Sequence, residues 1–146
     1  MKEINIARVL ADKRREKGVT QEELARYMGV SKASVSKWET GQSYPDVTFL
    51  PQLATYFNIS IDALLDYQPQ MTMADIRRLY HTLAAEFAAK PFEEVLARCR
   101  DIVKKYYSCF PLLFQMGQLL LNHSALAKDP QLRISVLEEA SELCAR

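Results

Sequence analysis

The stretch Thr20-Gln21-Glu22-Glu23-Leu24-Ala25-Arg26-Tyr27-Met28-Gly29-Val30-Ser31-Lys32-Ala33-Ser34-Val35-Ser36-Lys37-Trp38-Glu39-Thr40-Gly41 holds two helix starts and two helix stops. Thr20 and Glu23 form a capping-box pattern: the Thr20 hydroxyl accepts the backbone donor of residue 23, and the Glu23 carboxylate answers the Thr20 amide. A helix is therefore expected over Gln21 to Met28, stopped by Gly29 in a turn that needs positive φ. Ser31 is a good N-cap for the next helix, which runs to Thr40 before Gly41. Two helices joined by so short a turn must cross.

The apolar residues agree with a crossing. Leu24, Met28, Val30, Val35 and Trp38 form one inward stripe, and small Ala25 sits where the helices approach. Trp38 lies three residues after Val35, so it is read as core and not as a base-stacking side chain. With Val35 and Trp38 turned inward, a rotation of roughly 100° per residue puts Ala33, Ser36 and Lys37 on the opposite face, with Lys32 flanking the exposed N-terminal end. This is the geometry of a helix-turn-helix, whose second helix enters the major groove and presents side chains to base edges. Lys32 and Lys37 can donate to guanine, Ser36 can donate or accept, and Ala33 either touches a thymine methyl or leaves room. Thr20, Gln21, Ser31 and Ser34, near the amide ends of the two helices, are the expected phosphate contacts.

Outward from this pair, Ile4 to Lys17 reads as a first helix with Ile6, Val9 and Leu10 on one face and Gly18 as its stop. A fourth helix lies between Tyr44 and Asn58. Its start is placed near Thr48, so that Pro51 falls in the first turn. Ser60 caps a fifth helix with Ile61, Leu64 and Leu65, and Tyr67-Gln68-Pro69-Gln70 breaks the pattern. Beyond the break, Thr72 and Asp75 open a helix with Ile76, Tyr80, Leu83 and Phe87. Lys90-Pro91 opens one with Phe92, Val95, Cys99, Ile102, Val103 and Tyr106. Pro111 opens a third with Leu112, Met116, Leu119 and Leu120, and Asp129-Pro130 a fourth with Leu132, Val136, Leu137, Ala140 and Leu143. The expectation is an all-α chain: a five-helix domain over 1–67, a linker over 68–71, and about four antiparallel helices over 72–146 that resemble the opening of a helical-repeat array.

The run from Thr20-Gln21-Glu22-Glu23-Leu24-Ala25 through Trp38-Glu39-Thr40-Gly41, continued by Phe49-Leu50-Pro51 and Ile61-Asp62-Ala63-Leu64-Leu65, resembles the phage repressor and Cro family, also called the XRE family. The resemblance covers about residues 4 to 66. It implies a compact lambda-repressor-like domain, an operator-binding role, a phosphate-clamping part for Gln21, and an ion pair of Arg14 with Glu39 bracing the first helix to the recognition helix. The family often carries a basic residue between its third and fourth helices, whereas Gln42-Ser43-Tyr44-Pro45-Asp46 has none.

Charge is unevenly placed. Up to Tyr44 there are nine Lys or Arg against six acids, a net of +3, and the remainder holds ten against twelve, a net of −2. The N-terminal part thus carries a modest electrostatic footprint for nucleic acid. By charge alone, Arg14, Arg15 and Lys17 are equally solvated residues or phosphate contacts. His81 and His123 lack partners at ligand or catalytic spacing, so neither a metal, a cofactor nor an enzyme is expected. Cys99, Cys109 and Cys144 are read as reduced core residues, and Tyr106, Tyr107 and the Phe110 to Phe114 aromatics also as core. Met1 to Lys17 shows no charged-then-apolar leader and no apolar run nears membrane-spanning length, so a cytoplasmic setting without membrane contact is expected.

Function then reads as sequence-specific binding of double-stranded DNA by a homodimeric transcriptional repressor with a near-palindromic operator. The tail is expected to dimerise or to sense a peptide, small molecule or protein. The alternative is an antitoxin-like protein whose tail captures another protein and whose DNA-binding head is autoregulatory.

Overall fold

The computed structural model describes residues 4–146, so Met1, Lys2 and Glu3, counted above in the N-terminal domain and its charge, lie outside it. Every regular element among the described residues is helical: α1 (Ile6–Lys17), α2 (Gln21–Met28), α3 (Lys32–Thr40), α4 (Leu50–Phe57), α5 (Ile61–Leu65), α6 (Met73–Ala89), α7 (Phe92–Lys105), α8 (Phe110–His123) and α9 (Pro130–Ala145). Single 3-10 turns precede α4 at Val47–Phe49 and follow α8 at Ser124–Leu126. The chain divides into two compact units between Gln68 and Pro69.

Local chemistry explains most boundaries in the first unit. Thr20 and Glu23 form the reciprocal capping box, with Thr20 Oγ1 accepting from the Glu23 N–H at 3.1 Å and the Thr20 N–H donating to the Glu23 carboxylate at 2.7 Å. Gly29 ends α2 at φ +70°, and a Cβ there would meet nothing within 4 Å. Backbone conformation alone therefore asks for glycine. Pro51 occupies the first turn of α4, where its missing N–H costs nothing, and Asp46 starts the preceding 3-10 turn by accepting from the Thr48 N–H at 2.9 Å. Helix α1 begins two residues later than its apolar pattern predicts. Asn5 is held outside it by its backbone N–H on the Leu65 carbonyl and its side chain on Asp66 at 3.2 Å. Ile6, Leu10, Leu24, Ala25, Met28, Val35, Trp38, Leu53, Ala54 and Leu64 form the core of this unit, with Val9, Val30 and Leu65 packed on it. Ile61, expected inward, is exposed.

The second unit is built around α8. Ile76, Leu83 and Phe87 of α6, Val95, Leu96 and Cys99 of α7, and Val136, Ala140 and Leu143 of α9 join Leu112, Leu113, Met116, Leu119 and Leu120 of α8 in one core. Helices α8 and α9 run antiparallel: Phe114 lies by Cys144, and Gly117 faces Ala140 and Cys144. A Cβ on Gly117 would stand 2.6 Å from Cys144 Sγ and 2.9 Å from the Ala140 carbonyl oxygen, so the spacing of the two helices depends on this glycine.

Several tail expectations are corrected here. Phe110 and Phe114 are exposed, as is Tyr107, whose ring lies 4.6 Å beneath the Arg146 guanidinium. Leu137 is exposed and so is Cys144, whereas Cys99 and Cys109 are buried. Helix α8 is apolar around most of its circumference, and hydrophobic periodicity cannot choose the inward side of such a helix. Tyr106 caps α7 instead of continuing it.

Candidate nucleic-acid interface

The interface candidate is the outer face of α3 together with the start of α2. Val35 and Trp38 pin the inner side of α3; Trp38 is buried and packs against Phe49 with ring centroids 5.8 Å apart. That orientation leaves Lys32, Ala33 and Lys37 exposed on the other side, with Ser36 half-buried between them. Among the described residues neither Lys32 nor Lys37 is in an ion pair, so both ammonium groups are available to an external acceptor. An ammonium already matched to a carboxylate would have to break that contact first.

The helix starts differ in what they offer an anion. Ser31 Oγ accepts from the Ser34 N–H at 3.1 Å and shares a hydroxyl bond with Ser34 Oγ at 2.9 Å. The first turn of α3 contains no acid. Its positive end is therefore uncompensated and suits a phosphate. The first turn of α2 contains Glu22 and Glu23, and hydrogen bonds from the Thr20 backbone and side chain hold the Glu23 carboxyl below its usual range. Two carboxylates weaken anion binding there.

Beneath this face, Glu39 of α3 accepts from Arg14 of α1 through Nε at 2.5 Å and through a terminal nitrogen at 3.2 Å. The other terminal nitrogen of Arg14 donates to the Val19 carbonyl at 2.9 Å. Gln21 Nε2 donates to the same Glu39 carboxylate at 2.8 Å. Only 5% of the Glu39 side chain is exposed, against 15% for Arg14. Burial pushes the Glu39 carboxyl up, but the hydrogen bonds from Arg14 and Gln21 outweigh it and leave the group below its usual range. The guanidinium is correspondingly raised by its hydrogen bond to Glu39.

Gln21 is thus tied to the recognition helix, a contact that residue spacing did not reveal because its partners lie 18 positions apart. Lys17 was also missed. Its Nζ donates to the Tyr56 carbonyl at 3.1 Å and sits 4.6 Å over the Tyr56 ring, so it joins α1 to α4. His123 is half-buried, with Nδ1 donating to the Leu119 carbonyl at 2.8 Å and its ring stacked on Phe87. Among the described residues, no group of three His, Cys, Asp or Glu could hold a metal, and no helix is long and apolar enough to cross a membrane.

A capped helix, a glycine turn and a second helix with an uncovered cationic face, set in a five-helix core, form a helix-turn-helix. Comparison with known proteins gives the same class. Residues 10–64 match the helix-turn-helix family model. Over 59 residues the chain is 39% identical to the HTH-type transcriptional activator BcrR of Enterococcus faecalis, a match spanning 40% of this chain and 29% of that protein. The chain therefore spans under a third of that relative's length. A transcriptional regulator from Listeria innocua of known structure is 25% identical, with 73% of this chain and 98% of that chain covered and a TM-score of 0.45. Residues 10–64 are thus similar to the helix-turn-helix family.

Proposed function

We propose that the chain is a sequence-specific transcriptional regulator that reads the major groove of double-stranded DNA with α3, acts as a homodimer, and represses by occupying its operator. The observation that carries the reading is the exposed set Lys32, Ala33 and Lys37, with half-buried Ser36 between them, on a helix whose opposite side is locked by Val35 and Trp38. Lys32 and Lys37 donate to guanine edges, while Ser31, Ser34, Thr20 and Gln21 hold phosphates and set the register. One small head makes few contacts, so two heads on half-sites about 34 Å apart supply the affinity. Occlusion is the simpler mode of control because it needs no contact with polymerase.

Selection from random duplexes tests the reading. A near-palindromic site should be enriched, and Lys37→Ala or Lys32→Ala should lose about 1–3 kcal/mol on it with relaxed preference at one position. Gln21→Ala should weaken all sequences more evenly. Failure to enrich any site, or unchanged preference in both lysine variants, would overturn specific reading. A reporter placed downstream of the enriched site reads the sign of control.

A further inference from the structure

Helix α8, Phe110 to His123, contains no Asp, Glu, Lys or Arg. A helix that is apolar nearly all round belongs inside a structure, yet this one leaves Phe110, Phe114 and Leu121 exposed by 57%, 45% and 54%. At roughly 100° per residue these three fall within about 40° of one another on one flank of the helix, with Gly117, covered by α9, between Phe114 and Leu121. Along the neighbouring α9, Ile134 and Leu137 are 52% and 36% exposed. The antiparallel packing that sets Phe114 by Cys144 and Gly117 by Ala140 places both sets along one seam.

We propose that this α8–α9 seam is where a second copy of the chain docks; the proposal rests on the dimeric reading above and names its surface. Two features favour a second copy over a different partner. Half-exposed side chains of this size each leave on the order of 100 Å², so five present roughly 500 Å² per copy and a two-fold pair covers about 1,000 Å², which a specific interface needs. The α8 half of the seam is also uncharged, so identical surfaces meet there without like-charge repulsion. In an isologous pair the seam contacts itself, and the antiparallel order of its helices suits a two-fold axis across its middle.

The experiment is the mass of the full chain in solution without DNA, by size exclusion with light scattering at micromolar concentration. The wild-type chain should run at twice its 16.7 kDa. Phe114→Glu combined with Leu137→Glu should run as a monomer with an unchanged far-ultraviolet spectrum, since both side chains lie at the surface. Ile134→Lys is a second, independent disruption. A monomeric wild type, or variants that remain dimeric, would overturn the proposal, as would a wild type that gains mass only with another protein bound. Because no DNA is present, the outcome is independent of operator reading, and Lys37→Ala should stay dimeric whatever it does to binding.

Discussion

Replacing Glu39 by glutamine is the sharpest test of the brace beneath the recognition helix. The carboxylate is all but buried and receives three hydrogen bonds, two from Arg14 and one from Gln21. Removing its charge leaves the Arg14 guanidinium facing a neutral amide, with the Val19 carbonyl as its remaining strong acceptor. Breaking a fully buried pair costs about 3–5 kcal/mol; Arg14 retains some contact with solvent, so about 2–3 kcal/mol is expected. Trp38 is the sole tryptophan, and it lies in this unit, so its fluorescence during urea titration follows the N-terminal domain alone. With a slope of about 1 kcal/mol per molar for a domain of this size, the midpoint should fall by about 2–3 M.

Acid should erase the difference. The folded Glu39 carboxyl titrates below its ordinary 4.5, so its contribution is complete above that value and is lost as pH falls through the lowered one. Arg14→Met with Glu39→Met should cost less than Glu39→Gln, because no unmatched cation remains. A midpoint shift under a few tenths of a molar, or a double variant worse than the single one, would refute the reasoning.

Two further outcomes follow from the second unit. Gly117→Ala should destabilise it by about 1–3 kcal/mol in a circular-dichroism melt, and adding Cys144→Ala should recover only part of the loss, because the Ala140 carbonyl still lies 2.9 Å from the new methyl. Burial pushes the Cys99 thiol up to about 12, whereas Cys144 is exposed, so iodoacetamide at mildly alkaline pH should label Cys144 readily and Cys99 only with denaturant, as read by peptide mass spectrometry.

What the sequence made legible was what local chemistry decides. Thr20 with Glu23, Ser31, Ser60 and Thr72 each mark a helix start because the capping bond spans only two or three residues, and these starts were placed correctly. The start of α1 was missed because Leu65 and Asp66, some sixty positions away, fix Asn5. The inward faces of α2 and α3 were readable because polar residues occupy their outer sides. Helix α8 gives no such contrast, so Phe110 and Phe114 were assigned to a core they do not join, and Gly117 passed unremarked although it sets the approach of α9. In the candidate interface, the exposure of Lys32 and Lys37 followed from periodicity. The tie from Gln21 to Glu39 and the seat of Lys17 on Tyr56 needed the tertiary structure.

The carboxylate of Glu39 joins three helices at one point: α1 through Arg14, α2 through Gln21, and α3 on which it stands. On the function proposed above, the phosphate contact of Gln21 and the groove-reading face of α3 are therefore parts of one stiff jaw. A jaw of this kind cannot loosen one contact to improve the other when it meets an imperfect half-site. The duplex must bend or narrow instead, so operator choice should depend on base steps that α3 never touches, through how easily they deform.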